Sequence, residues 1–448
     1  MSKHKTAIIG AGITGLTTAF YLQKNGIENS LFEKRSDPGG SIKTVNSNGW
    51  QVEYGPNTIL LKDAKVADFL KDLNLESELV EANPEAKKRY ILKNNSLEAA
   101  PAGLTDAVST SLFSLKAKLR VLGEPFISKK SDSMETVADF VTRRLGREFL
   151  DYAINPFVAG IFAGSPEKLS MQHAFPQMKE MEEDYGSLIV GALAGAKKRK
   201  AQGRVPRRLI SFQNGIQKLP KTISANVTNS YFNHFVKGIS GKPGNWIVKT
   251  NLGEYGSFKD VILNIPAYKI NEIDLPAGSH ESRFFDDIVY PPVSVVALGY
   301  KRDHVGHPLD GFGFLVPEVE QRNILGTLFS STLFEKRAPH NHVLLTTFTG
   351  GMRQPKLAGL ESEKLFELVQ KELSEILDID GAPVYREHIY WPQAIPQYLP
   401  GYEEVLEKIE SLESKLPGIH FAGNYRGGIS VPDCIKSGMS LSENIINS

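Results

Sequence analysis

Gly10, Gly12 and Gly15 follow the apolar run Ala7 to Ile9, and an acid stands further on at Glu33. This order suits a chain that holds a dinucleotide. The first glycine permits a tight turn, the second lets backbone approach a pyrophosphate, and the third lets a helix pack closely on a sheet. The phosphates would sit on the helix N-terminus. Leu16, Ala19, Phe20 and Leu22 share one face of that helix, Gly26 is placed to end it, and Ser30 to Glu33 supplies a second strand. Glu33 then falls at a strand end, where its carboxylate can accept ribose hydroxyls and would repel a 2′-phosphate.

Glu33 alone leaves FAD and NAD both open. Beyond it, Gly39 and Gly40 sit in the stretch Ser36 to Ser41, and Glu53 to Asn57 makes a further tight turn. Their order after the acid favours the longer flavin. Near the C-terminus, His420 to Asn424 reads as a short strand and turn, and Gly427 to Asp433 leads into a last helix from about Cys434 to Ile446. Such a helix N-terminus favours partial negative charge on a flavin.

With 448 residues and 41% hydrophobic content, the chain can bury two or three domain cores. Fifty-two basic residues nearly balance 51 acidic ones, so no global charge points to nucleic acid. The single cysteine, Cys434, and the lack of a His pair at ligand spacing argue against a disulfide scaffold or a metal centre. Met1 to Lys5 lead straight into the first strand, with no apolar signal segment, and no stretch approaches the roughly 18 apolar residues of a membrane span. A cytoplasmic location is expected, with attachment to the inner face of the cell membrane left open.

The middle of the chain changes character. Pro101 to Lys200 reads as helical, and β-rich runs follow at Trp246–Thr250, Val261–Ile265, Val293–Leu298 and Val343–Phe348, with an amphipathic helix from Leu357 to Leu377. Leu104, Val108, Leu112, Leu115, Leu119, Leu122 and Phe126 recur at three- and four-residue steps, with Lys116, Lys118 and Arg120 near the edges. That stripe is either the core of a helical unit or a membrane-facing surface. Lys197 to Lys200 with Arg204, Arg207 and Arg208 form a second basic stretch, either solvated or suited to acidic lipid heads.

Several interior segments carry a family resemblance: Pro156 to Gly164, Tyr290 to Ala297, His307 to Pro317, Leu325 to Ser331, Ala394 to Tyr398 and Gly423 to Cys434. They resemble oxygen-dependent protoporphyrinogen oxidases, a branch of the FAD-containing amine oxidases and desaturases that both ends of the chain also resemble. The resemblance covers nearly the whole chain and departs at one loop: Leu399 to Tyr402 replaces the family's short Gly-His turn. It implies an α/β fold with a Rossmann-like FAD-binding domain (1–75, 206–268, 412–448). A mixed-sheet substrate domain (76–95, 269–411) and a helical, membrane-associating subdomain (96–205) complete it. FAD contacts carry over to Gly10, Ala11, Gly12, Ile13, Thr14, Gly15, Glu33, Lys34, Gly40, Ser41, Gly55, Pro56, Asn57, Val236, Gly423, Asn424, Ile429, Ser430 and Val431. Substrate contacts carry over to Arg89, Gly160, Phe312, Leu315, Leu328 and Phe348.

The implied reaction is six-electron oxidation of protoporphyrinogen IX to protoporphyrin IX in haem biosynthesis, with O2 as acceptor and H2O2 released. Four apolar side chains would form the slot, Arg89 would hold a propionate, and the Gly160 carbonyl would face the pyrrole N–H groups. The chemistry belongs to the flavin, so no general base is named among the ten histidines. Coproporphyrinogen III, with more propionates, is the alternative substrate, and other FAD amine oxidases or desaturases and a porphyrin-carrying flavoprotein are further readings. Implied partners are the porphyrinogen, O2, a membrane surface, a second copy of the chain and a chelatase that receives the product.

Overall fold

The computed structural model describes residues 5–101, 106, 109–130, 132–201, 207–276, 278 and 280–448, with backbone only at 196–201. Leu104, Val108 and Arg204 lie outside the described residues, as do the side chains of Lys197 to Lys200.

Five short strands form a parallel sheet in the order Ser230–Phe232, Glu28–Glu33, Lys5–Ile9, Asp260–Leu263, Ile419–Phe421. The central strand is buried on both faces, which is why Ala7 to Ile9 is uninterruptedly apolar. Helix Ile13–Lys24 buries Leu16, Ala19 and Leu22 against the sheet, and Gly26 takes φ +76° just past its end. The last helix is Val431–Asn447, starting earlier than expected because Ser430 caps it by accepting from the Asp433 N–H at 3.2 Å. Gly438 lets this helix approach the first: a Cβ there would lie 2.6 Å from the Thr14 carbonyl oxygen.

A seven-stranded sheet runs Tyr385–Trp391, Val293–Lys301, His342–Gly350, Gly326–Phe329, Gly311–Leu315, Lys88–Lys93, Ser96–Ala99. It is mixed, because Gly311–Leu315 pairs in parallel with Lys88–Lys93 while its other neighbours are antiparallel. One face is covered by helix Ser362–Leu377, which buries Leu365, Val369, Leu373 and Leu377. The helix expected over 357–377 is in fact two, Pro355–Ala358 and Ser362–Leu377. The opposite face meets Trp50 and Val52 and the helix Asn155–Phe162.

Short helices, among them Leu115–Leu122, Val137–Arg144, Pro176–Tyr185 and Leu188–Ala201, fill the stretch between these sheets. The leucine stripe does not lie on one helix. Leu112 turns inward at 1% exposure, helix Leu115–Leu122 starts after it, and Phe126 ends a separate 3-10 turn, Glu124–Phe126. The remainder is surface, not core: Leu115, Leu119, Leu122 and Phe126 are 73, 59, 69 and 89% exposed. Interior cohesion here comes partly from charge. Arg144, fully buried, donates to Glu124 at 2.7 Å and to Glu182 at 2.7 Å, while Arg143 and Lys179 bridge Glu182 to Glu135.

Candidate active site

The parallel strands all point the same way, so the loops leaving their carboxyl ends converge. Gly10 follows the first strand, Glu33 ends the second, His234 and Val236 follow the third, Asn264 follows the fourth and Gly423 the fifth. Together they line a cleft of about 270 Å³. Two helix N-termini face it: Gly12, Ile13 and Thr14 open one, and Val431 and Cys434 open the other. No side chain caps the first helix, so its free N–H groups are available to an anionic ligand.

Glycine is needed at two places, one in the wall and one behind it. Gly10 has φ +101°, and a Cβ there would lie 2.3 Å from the Asn264 carbonyl oxygen. At Gly15 a Cβ would lie 2.4 Å from the Gly10 carbonyl oxygen, so its absence closes the helix onto the turn rather than onto a ligand. Glu33 is pre-positioned: its Oε2 accepts from the Ala11 N–H at 2.7 Å and its Oε1 from the Arg35 N–H at 2.9 Å. Each oxygen keeps a lone pair for a ribose hydroxyl.

Of the residues expected at the cofactor, Gly10, Gly12, Ile13, Thr14, Glu33, Lys34, Gly40, Ser41, Pro56, Val236, Gly423, Asn424, Ile429 and Val431 line this cleft. Five stand behind the wall. Ala11 serves Glu33 through its N–H, and Gly15 closes the first turn. At Gly55 a Cβ would meet the Ser41 carbonyl oxygen at 2.3 Å. Asn57 faces a small enclosed space with Leu328 and Arg337, and Ser430 caps the last helix. The sequence reading missed His234, Asn264, Tyr268, Tyr290, Trp391 and Ala394, which also line the cleft. Asn264 had a usable signal, since it directly follows the strand Asp260–Leu263, whereas His234 stands two residues past Ser230–Phe232.

Tyr290, Trp391 and Ala394, from the seven-stranded sheet or its margins, line the cleft as well. Trp391 donates its ring N–H to the Tyr54 carbonyl at 2.7 Å, and Tyr54 donates its hydroxyl to Glu387 at 2.8 Å, locking that sheet to the Glu53–Asn57 turn. Burial and the Glu387 carboxylate push the Tyr54 hydroxyl far above its ordinary pKa, so it stays a donor.

Phe348 and Ala394 pack on one cluster with Ala159, Ala163, Val293 and Leu325. Register pairs Phe348 with Gly326 and Gly326 with Leu315, so Leu315, Leu328 and Phe348 share a face. Gly160 lies against Leu315, where a Cβ would sit 2.8 Å from the leucine Cδ2. Helix Asn155–Phe162 runs through Gly160 without breaking, and Gly160 stands in its last turn, where carbonyls have no intrahelical partner. Phe312 and Leu328 border a neighbouring cluster of Ala86, Leu333 and Phe334. Arg89, exposed, stacks its guanidinium over Phe312 at 5.2 Å. None of the six residues expected at the substrate is among those lining the cleft: Leu315, Leu328 and Phe348 share one face of the seven-stranded sheet, Gly160 lies against Leu315, and Arg89 stacks on Phe312.

The model of the flavin containing amine oxidoreductase family matches residues 13–446. The chain belongs to that family. This flavin amine oxidoreductase is 34% identical over 481 aligned positions to "Protoporphyrinogen oxidase 2, chloroplastic/mitochondrial" of Arabidopsis thaliana, covering 100% of the present chain and 94% of the other. It is 29% identical to "Coproporphyrinogen III oxidase" of Bacillus subtilis (strain 168), with 97% and 96% covered. Among solved structures, one from Exiguobacterium sp. 255-15, described there provisionally as a protoporphyrinogen oxidase, superposes with a TM-score of 0.82 at 22% identity over the full length of both chains. The oxidoreductase is therefore an FAD-dependent enzyme with a Rossmann-like α/β fold, and its dinucleotide cleft, glycine turns and Glu33 fit that cofactor. Among the described residues no helix is long and apolar enough to cross a membrane.

Proposed function

We propose that the enzyme oxidises protoporphyrinogen IX to protoporphyrin IX, with FAD in the cleft and the macrocycle against Leu315, Leu328, Phe348 and Arg89. One observation carries the reading: Ala394, which lines the dinucleotide cleft, packs on the same apolar cluster as Phe348, on the sheet face shared by Leu315 and Leu328, and Arg89 stacks on Phe312, which borders Leu328's other cluster. When bound, FAD supplies a hydride acceptor that dioxygen restores with release of H2O2.

The chain's own residues bind and orient. Phe312, Leu315, Leu328 and Phe348 supply a surface for a large, mainly apolar ring and exclude water from it. Arg89, already oriented by Phe312, takes a propionate through a two-pronged hydrogen bond. The Gly160 carbonyl accepts from the pyrrole N–H groups, and only a residue without a side chain leaves Leu315 undisplaced there. Proton shifts stay within the bound macrocycle. Arg89→Ala is expected to raise KM about ten- to a hundredfold, the worth of a charge-assisted hydrogen bond of about 1.5–3 kcal/mol, with FAD content unchanged. Steady-state kinetics at fixed flavin loading checks this, and an unchanged KM removes Arg89 from the site.

Coproporphyrinogen III is the second reading, supported by the relative from Bacillus subtilis. Arg337, a second guanidinium at the Phe334 cluster, is buried and paired with Glu53, so among the described residues Arg89 is the exposed cation stacked there, which favours the substrate with fewer carboxylates.

The side chains of Leu115, Leu119, Leu122 and Phe126 form an exposed apolar surface in the helical region, where Leu193 is also 60% exposed, and Lys116 is exposed next to Leu115. We assign this surface to a lipid bilayer, into which apolar side chains partition while the lysine meets anionic headgroups. A Leu119→Asp, Phe126→Asp double variant is expected to bind anionic vesicles at least about tenfold more weakly, since burial of each such side chain is worth roughly 1.5–3 kcal/mol. Co-sedimentation at equal activity in detergent tests it, and unchanged sedimentation removes the assignment.

A further inference from the structure

The turn Gly423 to Gly428 carries two cleft-lining residues, Gly423 and Asn424, and leads to two more at Ile429 and Val431. Three of its residues have positive backbone angles, Gly423, Gly427 and Gly428 with φ +148°, +90° and +118°, and Tyr425 between them is fully buried. A turn so rich in glycine does not hold its shape through local preference. It is held from outside.

Tyr398 does the holding. Its hydroxyl donates to the Asn424 carbonyl at 2.6 Å and accepts from the Gly428 N–H at 3.2 Å, so one phenol spans both ends of the turn. The ring is 5% exposed, and burial, the larger cause, with the nearby Cys434 pushes the hydroxyl well above its ordinary pKa, which keeps the donated proton in place. Tyr402 adds a second grip by donating to the Tyr425 carbonyl at 2.7 Å. On its other side Tyr398 is anchored by its own carbonyl, which accepts from the Ser170 N–H at 2.8 Å. The adjacent Gln397, 1% exposed, donates its side-chain N–H to the Phe162 carbonyl at 2.8 Å, at the end of the Gly160 helix.

We propose that Tyr398 is a positioning residue for the cofactor: it fixes the Asn424–Gly428 turn against the flavin, and through Gln397 ties that turn to the helix carrying Gly160. The proposal rests on FAD occupying the cleft, which a Gly12 substitution tests separately.

The test is equilibrium dialysis of FAD from the holoenzyme, with melting temperature and flavin absorbance in parallel, for the parent, Tyr398→Phe and Ser294→Ala. Ser294 is a fitting control because its buried hydroxyl also donates to a carbonyl, that of Ala358 at 2.7 Å, tying the other sheet to the short helix Pro355–Ala358. Both variants are expected to melt lower than the parent, but only Tyr398→Phe to raise the Kd for FAD, about tenfold, and to shift the flavin absorbance band. A Kd for Tyr398→Phe within twofold of the parent, or an equal rise in Ser294→Ala, overturns the proposal. Should Tyr398→Phe not fold, hydrogen exchange of the 423–430 peptide in the parent holoenzyme decides. Protection comparable to the Ile419–Phe421 strand supports the clamp, and exchange at free-peptide rates overturns it.

Discussion

Gly12→Val enzyme is expected to purify colourless yet folded. Gly12 has an extended backbone with φ −69°, a conformation open to valine, so the substitution adds no backbone strain. Its cost to the helix is the loss of a favourable cap residue, about 1 kcal/mol. What changes is the cleft. A Cβ at this position already meets the Asn264 side-chain nitrogen at 3.2 Å, and the branched methyls occupy the space over the uncapped N–H groups of Ile13 and Thr14. Those groups are where a pyrophosphate gains most, so affinity for FAD should fall by two orders of magnitude or more, about 2.7 kcal/mol. Flavin absorbance of the purified protein, beside its melting curve, reads both expectations. A yellow variant with parent stoichiometry means the flavin lies elsewhere.

Arg144→Met is expected to cost about 3–5 kcal/mol of stability, the largest structural effect among the substitutions considered. The side chain is wholly buried and donates to Glu124 once and to Glu182 twice, at 2.7–2.9 Å. Methionine fills much of the volume but leaves two buried carboxylates short of donors, and an uncompensated buried charge is the costly case. Burial alone would raise the Glu182 carboxyl, but hydrogen bonds from Arg143 and Arg144 outweigh it and hold it down at about 2. A depressed carboxyl contributes stability above its unfolded value of 4.5, and that contribution is lost as pH falls from there towards 2. The parent should therefore melt progressively lower as pH drops through this window. Glu182→Gln should flatten that dependence at the expense of neutral-pH stability. Melting curves across the acid range check both, and a Glu182→Gln variant with the parent's acid slope contradicts the assignment.

The two ends of the chain were legible because the demands there are local. A buried parallel strand must be apolar, the turn after it must lack side chains, and an acid must end the next strand, so Ala7 to Glu33 shows its purpose in one stretch. His234, Asn264 and Trp391 were not visible in this way. His234 and Asn264 reach the cleft through the strand order of the parallel sheet, and Trp391 reaches it from a strand end of the seven-stranded sheet. Leu315, Leu328 and Phe348 were legible by resemblance alone, because they are ordinary strand residues whose common face depends on register. The leucine stripe was legible as a pattern and not as a place: spacing shows that residues share a side, and only the break after Leu112 shows that this side is outward.

Aerobic oxidation of protoporphyrinogen IX and coproporphyrinogen III by the purified holoenzyme, side by side with porphyrin fluorescence and peroxide recorded together, tests the central claim most directly. Protoporphyrinogen IX is expected to turn over with the higher kcat/KM, releasing one peroxide for each pair of hydrogens removed. Preference for coproporphyrinogen III would contradict the substrate assignment and leave the site intact. Activity on neither, with FAD bound, would contradict the reading of the substrate residues.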